Sequence, residues 1–359
     1  MTELREETPP EGFERLVRIE DPESGLRGFI CIHSTACGPA AGGCRMWPYD
    51  SPEAARRDVL RLAEGMTHKN ALADIGLGGG KAVIIGDPAT DKSAALLRAF
   101  GRAVEALGGQ YYTAEDVGIS TDDMAQAAME TPYAVGLGSG RYASGDPSPF
   151  TAEGVFQCMK AGADEVFGTD ELTGRRVLVQ GLGHVGMALA GKLHAAGAKL
   201  IVSDLDRAVL DRAMRDLGAT ICPPDAIFDQ EMDIFAPCAL GGILTHDTAD
   251  KLTARLVCGA ANNQLASAGV AETLRAAGIR YLPDYVVNAG GIISIAGEIH
   301  RSDDWNREAR LTTISRRIRD ILATSRTSGK TTIAVANDMV DGILAKAAND
   351  ARREREGLE

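Results

Sequence analysis

The chain has 359 residues, 45% hydrophobic and 25% charged, with a formal net charge of -12. Its length exceeds one ordinary core and points to two domains, while the acidic balance argues against a basic surface for nucleic acid or anionic lipid. Seven cysteines without a CxxC pair read as reduced thiols in a cytoplasmic protein, which leaves small soluble ligands as the partners.

In chain order, the acidic start "MTELREETPPEGFERL" is no signal peptide, and both charged ends of the chain are expected to be disordered. "RGFICIHST" predicts a strand, and "SPEAARRDVLRLAEGM" predicts a helix. Ser51 caps that helix and Pro52 fits its first position. Ala55, Val59, Leu62 and Met66 recur on one face, and the helix is expected to stop just before Lys69. "GLGGGKAVIIGDP" then runs glycines up to Lys81, ahead of a buried-looking apolar run. Such glycines cost conformational entropy and suggest a turn or a close approach to a ligand. "SGDPSPF" carries glycine and proline signals and is the candidate hinge.

From about Glu153 the rhythm becomes strand, helix, strand: "RRVLVQG", "HVGMALAGKLHAAGA", "KLIVSD", "RAVLDRAMRDLGA", then short apolar runs in "DIFAPCA" and "ARLVCGA". Alternation of this kind predicts an α/β fold with a parallel sheet covered on both faces. Two long helical stretches, "DWNREARLTTISRRIRDILATSR" and "TTIAVANDMVDGILAKAANDARRERE", close the chain.

Gly181, Gly183 and Gly186 form a GxGxxG between a predicted strand and a predicted helix. The first permits a tight turn, the second lets backbone approach a pyrophosphate, and the third lets helix meet strand. Phosphate would sit on the helix N-terminus. Asp204 ends the next strand, where a carboxylate binds the adenosine ribose, and Asp206 beside it would repel a 2′-phosphate. NAD is therefore expected over NADP. In the first half Lys69, Lys81, Glu115 and Asp116 hold the polar groups. Composition alone makes Lys69 a solvated surface charge, whereas Lys81 sits between glycines and an apolar run. Burial of a lysine favours its neutral form, and a carboxylate beside it favours the charged one.

"GPAAGGCRMWPY", "GMTHKNALADIGLGGGKAVIIGDP", "YYTAEDVG", "GLGHVG", "PCALGG", "CGAANNQL" and "PDYVVNAGG" resemble, in order, segments of the leucine, valine and phenylalanine dehydrogenases of the glutamate dehydrogenase superfamily. The resemblance implies two domains. A substrate, catalytic and oligomerisation domain would span 1–147, completed by a C-terminal helix in 331–359 that returns to it. A Rossmann-type, doubly wound NAD-binding domain would span 148–330. It implies reversible oxidative deamination of an apolar L-amino acid to the 2-oxo acid and ammonia, by a homo-oligomer that uses NAD. Leucine, valine or isoleucine are the expected substrates and phenylalanine the alternative.

Residue by residue, the resemblance makes Lys81 the general acid/base and Asp116 its proton-shuttling partner. Lys69 and Asn263 would hold the substrate carboxylate, and Ala41, Gly42 and Ile295 would line the side-chain pocket. His184 and Val185 of the glycine turn, Ala239 and Asn262 would line the cofactor, with Thr151 and Asn288 on the nicotinamide carboxamide. Ala41 stands where glutamate dehydrogenases carry a lysine, so a distal carboxylate would be buried unpaired. Ser294 and Gly297 stand where relatives usually show Asn and Asp. A 2-hydroxy-acid dehydrogenase would need a histidine paired with a carboxylate, which the six histidines do not offer from sequence. A non-catalytic NAD-binding regulator would have no need of Lys69, Lys81 and Asp116 together. No metal is expected, because His and Cys lack ligand spacing.

Overall fold

The computed structural model describes residues 2–356, which form two compact units. One holds the chain up to Pro147, the segment Ile292–Trp305 and the chain from Val340 onward; the other holds Ser148–Gly291 and Asn306–Met339. The first break falls inside "SGDPSPF". Ile292–Trp305, expected in the second domain, instead groups with the first, and the final return begins at Val340 rather than residue 331. The cause of the early return is visible in Glu298, whose buried carboxylate accepts bonds from the amides of Gly136, Leu137 and Ser144 at 3.0, 3.4 and 3.3 Å.

The first unit has a mixed seven-stranded sheet of β1 (Glu3–Glu7), β2 (Arg15–Asp21), β3 (Leu26–Ser34), β4 (Ala40–Ala41), β5 (Cys44–Trp47), β6 (Gly78–Ile85) and β7 (Tyr111–Tyr112). The order is β1-β2-β3-β6-β4-β7, with β5 also on β6. β3 runs antiparallel to β6, while β4 and β5 run parallel to it. The N-terminal end, expected to be disordered, is β1: it pairs with β2, Leu4 packs against the core, and Glu6 pairs with Arg15. The other end is helix as far as Glu356, and 357–359 lie outside the described residues.

Side chains alternate across a strand, and this alternation assigns the faces. Ile30 and Ile32 of β3, Cys44 and Met46 of β5, and Ala82 and Ile84 of β6 face a core built with helix Ala94–Glu105. Phe29, Cys31 and Val83 face the opposite core with Ala55, Val59 and Ala63 of helix Pro52–Ala73. Lys81 shares the parity of Val83, and Arg45 is the register partner of Val83, so both belong to the second face.

Helix Pro52–Ala73 begins as expected: Ser51 Oγ accepts from the Ala54 amide at 3.1 Å, and Pro52 opens the first turn. It does not stop before Lys69. It continues through Lys69 because Asn70, Leu72 and Ala73 are buried and nothing breaks the ladder until Asp74 turns left-handed at φ 52°. Its buried stripe also drifts to Ala55, Val59, Ala63, Thr67 and Asn70, leaving Leu62 and Met66 half-buried.

The second unit carries six parallel strands, β8 (Arg176–Gln180), β9 (Lys199–Ser203), β10 (Thr220–Ile221), β11 (Ile234–Pro237), β12 (Leu256–Val257) and β13 (Arg280–Tyr281). Their order, β10-β9-β8-β11-β12-β13, is the doubly wound order of a Rossmann fold, whose switch point lies between β8 and β11. Helices Ser148–Phe167, His184–Ala195 and Arg207–Leu217 belong to this unit. Among the described residues no helix is long and apolar enough to cross a membrane.

Candidate active site

The glycine-rich start of β6, with β4 and the Gly42–Gly43 link that follows it, makes the floor of the site in the first unit. Asn70 stitches the two strands, donating from Nδ2 to the carbonyls of Ala41 at 3.2 Å and Gly78 at 2.5 Å. A Cβ on Gly79 would lie 2.1 Å from the Thr67 amide nitrogen, so the glycine lets helix Pro52–Ala73 lie directly on the strand. Likewise, a Cβ on Gly42 would meet the Gly80 carbonyl at 2.0 Å and Met66 at 2.9 Å. The glycines before Lys81 thus bring backbone against backbone and seat the helix that carries half-buried Lys69.

Lys81 is buried, and its Nζ lies 2.6 Å from Asp116 Oδ2. A Cβ on Gly43 would come within 3.0 Å of Asp116 Cβ, so the link between β4 and β5 presses on the same pair. Burial alone would push the Asp116 carboxyl up, but Lys81, then Arg45, and the Val117 amide hold it down at about 2. Glu115 turns away to accept from Thr121 Oγ1 at 2.7 Å. Tyr111 OH donates to the Gly42 carbonyl at 2.6 Å, and burial pushes that phenol well up, so it is a fixed donor.

The residues expected to line the side-chain pocket lie in the same unit. A Cβ on Gly136 would approach Ala114 Cβ at 3.6 Å and Ile295 Cδ1 at 3.8 Å. Ala41 is buried on β4. Gly297 has a packing reason: a Cβ there would meet Trp305 Cδ1 at 2.6 Å, and Trp305 Nε1 donates to the Ile293 carbonyl at 2.9 Å. Ser294 is fully buried, and its Oγ has no hydrogen-bond partner.

In the second unit the strand ends carry the remaining residues. Gly181 has φ +92°, and a Cβ there would lie 2.7 Å from that of Ala239. A Cβ on Gly186 would sit 1.9 Å from the Gly181 carbonyl, whereas one on Gly183 would meet nothing within 4 Å. The turn is therefore closed beneath and open above, and it leads into the helix at exposed His184 and half-buried Val185. Asp204 Oδ2 accepts from the Leu182 amide at 2.6 Å and Oδ1 from the Asp206 amide at 2.9 Å, so it braces the turn.

Asn288 Nδ2 donates to Asn262 Oδ1 at 2.8 Å and to the Ala260 carbonyl at 3.1 Å, while its buried Oδ1 has no partner. Two residues on, a Cβ at Gly290 would lie 2.8 Å from Thr151 Cα, which brings Thr151 beside this cluster. Open space over Gly183, a braced carboxylate and an orphaned amide oxygen are the features a dinucleotide with a carboxamide needs, and these residues fit one. Asn263 stands exposed at φ +53° in the same loop, and buried Gln264 ties that loop down through the Gly259 and Ala261 carbonyls at 2.8 and 3.0 Å.

Sequence reasoning missed Arg45, Asp58, Asn70, Gln264 and Glu298. Arg45 stood inside a quoted motif, and its position between the apolar Cys44 and Met46 on a strand was the available signal. His33, His246 and His300 turn a ring nitrogen to Thr67, Thr273 and the Ile75 carbonyl at 2.8, 2.7 and 2.7 Å. Among the described residues no group of three or more His, Cys, Asp or Glu could hold a metal.

Two family models match the chain: the Glu/Leu/Phe/Val dehydrogenase dimerisation domain over 13–133, and Glutamate/Leucine/Phenylalanine/Valine dehydrogenase over 144–219 and 207–352. Leucine dehydrogenase of Thermoactinomyces intermedius is 51% identical over 82% of this chain and 80% of its own length. Phenylalanine dehydrogenase of Lysinibacillus sphaericus is 45% identical over 90% and 86%. The crystal structure of L-tryptophan dehydrogenase from Nostoc punctiforme superposes with a TM-score of 0.82 at 38% identity, covering 94% of this chain and 97% of that one. A glycine-seated lysine–aspartate pair, a Rossmann sheet and relatives at this identity over most of the length place the chain in the glutamate, leucine, phenylalanine and valine dehydrogenase family of amino-acid dehydrogenases.

Proposed function

We propose that the protein catalyses the reversible, NAD-dependent oxidative deamination of an apolar L-amino acid, leucine foremost, to its 2-oxo acid and ammonia. The observation that carries this reading is the buried Lys81–Asp116 pair on the glycine floor. Bound nicotinamide would supply the hydride acceptor for the substrate Cα. The chain's own residues do the rest. Lys69 holds the α-carboxylate, with Asn263 as its helper. Lys81 takes and returns the proton of the water that attacks the imine carbon, and Asp116 exchanges protons with the amine. Asn288 and Thr151 orient the carboxamide, and the Gly181–Gly186 turn holds the pyrophosphate.

NAD over NADP is supported by Asp204 and Asp206, whose charges would repel a 2′-phosphate and are offset there only by Arg207, which forms an exposed pair with Asp211 at 2.9 Å. Ala41, Ala114 and Ile295 are apolar, so glutamate would bring a carboxylate without a cation. Aromatic substrates are the second reading, favoured by the small Ala41 wall and by the likeness to a tryptophan dehydrogenase. The free thiols support a cytoplasmic setting, and we infer a homo-oligomer built through the first unit.

The test follows NADH formation at alkaline pH with leucine, valine, isoleucine, phenylalanine, tryptophan and glutamate. Leucine is expected to lead, and Lys81→Ala to lose at least about a hundredfold in kcat while still binding NADH. Turnover by none of them, or undiminished turnover in Lys81→Ala, would overturn the reading.

A further inference from the structure

Behind the Lys81–Asp116 pair lies a second charged layer that the scheme above leaves unused. Arg45 projects from β5 on the same sheet face as Lys81, and its Nε lies 3.5 Å from Asp116 Oδ2. That contact is too long and misaligned for a hydrogen bond, and the buried Nε has no other partner. The far end of the guanidinium is fixed: NH1 lies 3.1 Å from Asp58 Oδ2. Asp58 is itself held from two sides, by Tyr49 OH at 2.7 Å and Arg61 NH2 at 2.7 Å. Arg45, Asp58 and Asp116 are each less than a fifth exposed.

Other titratable groups lie within electrostatic reach of Asp116, namely Cys44 from β5, Tyr111 from β7, and Tyr49. Burial pushes that thiol and both phenols up, so they stay neutral. Lys81 from β6 and Arg45 are thus the charges set against Asp116. They differ in kind. A lysine that exchanges a proton with water cannot remain a constant counter-charge, whereas a guanidinium never deprotonates in this range.

We propose that Arg45 is the positioning residue of Asp116: anchored by Asp58, it holds the carboxylate in place and ionised at rest, ready to accept the amine's proton, while the charge on Lys81 comes and goes. The inference deepens the dehydrogenase reading of this site and rests on it for its catalytic meaning. Without Arg45, Asp116 would take up a proton at higher pH, and the acid limb of the rate profile would move with it.

The experiment titrates the full chain labelled with carboxyl-¹³C aspartate, the Asp116 resonance being identified by its loss in Asp116→Asn. In Arg45→Gln the Asp116 midpoint is expected to rise by about one pH unit. Asp58→Asn should move it in the same direction by less, and Arg45→Lys should restore it in part. The acid limb of kcat/KM for leucine should shift in step, with NADH binding unchanged. An Asp116 midpoint unmoved in folded Arg45→Gln, or a uniform rate loss without displacement of the pH profile, would overturn the proposal. Should Arg45→Gln fail to fold, Asp58→Asn and Arg45→Lys decide it on the same readout. A wild type that turns over no amino acid while the midpoint still moves would sink the dehydrogenase reading and leave Arg45's hold on Asp116 standing.

Discussion

Asp116 couples the chemistry of the site to the stability of the fold. Its carboxyl lies at about 2 against an ordinary 3.8, because Lys81 and Arg45 overcome the cost of burial. A depressed carboxyl stabilises the folded chain only while ionised. Its contribution is therefore complete above about pH 4, the unfolded value, and is lost as pH falls toward 2. The size is about 2 kcal/mol. Asp116→Asn should cost more than that near neutrality, since it leaves two cations facing an amide. The gap between wild type and variant should close as pH falls from 4 to 2, because a protonated Asp116 resembles the asparagine. Chemical denaturation of both proteins across that range measures it, and a pH-independent gap would contradict the pairing. At this scale the sequence showed Lys81 and Asp116 through their motifs, but not Arg45. In a linear string an arginine in "CRMWPY" is marked only by its apolar neighbours Cys44 and Met46, and it is strand parity that puts it on the face of Lys81.

The elements explain why the glycines stand where they do. Gly79 is the contact point between β6 and helix Pro52–Ala73, and an added Cβ would overlap both the amide nitrogen and the hydroxyl of Thr67 at 2.1 Å. Backbone cannot yield as a flexible side chain would, so Gly79→Ala should cost about 3 kcal/mol or more. It should also displace Lys69 and raise KM for the amino acid, whereas Gly65→Ala on the same helix, with nothing within 4 Å, should be neutral or slightly stabilising. Paired melts and kinetics of the two variants separate these outcomes. Glu298 makes a second case. It accepts from three amides and from Ser144 Oγ at 3.1 Å, so Glu298→Ala should free the loop 136–144 and speed amide exchange at Gly136, Leu137 and Ser144. The start of helix Pro52–Ala73 was legible from Ser51 and Pro52 because capping is local chemistry. Its end was not, because the burial of Asn70, Leu72 and Ala73 depends on strands distant in sequence.

Across the whole molecule, legibility followed topology. Four of the six parallel strands, β8, β9, β11 and β12, were readable because crossover helices or short connections separate their apolar runs, whereas the two-residue β10 and β13 are too short to show a pattern. The first unit was not readable, because β6 collects β3, β4 and β5 from both directions, and because Ile292–Trp305 joins from far along the chain, through contacts that include the Glu298 carboxylate and the His300 ring. Each unit has its own sheet and its own core, with Val17, Ile30 and Phe100 in one and Leu178, Phe235 and Tyr281 in the other. Damage to the nucleotide turn should accordingly stay within its unit. Gly186→Ala would place a Cβ 1.9 Å from the Gly181 carbonyl and 3.3 Å from Cys238 Cβ, forcing open the turn proposed to hold the pyrophosphate. NADH affinity should fall at least about tenfold, since the phosphate depends on backbone amides that only a closed turn aims together. The Asp116 titration, which reports on Lys81 and Arg45 in the first unit, should remain as in the wild type. Fluorescence titration with NADH beside the carboxyl titration checks both halves of the argument, and a displaced Asp116 midpoint in Gly186→Ala would show that the units share strain through the chain that joins them.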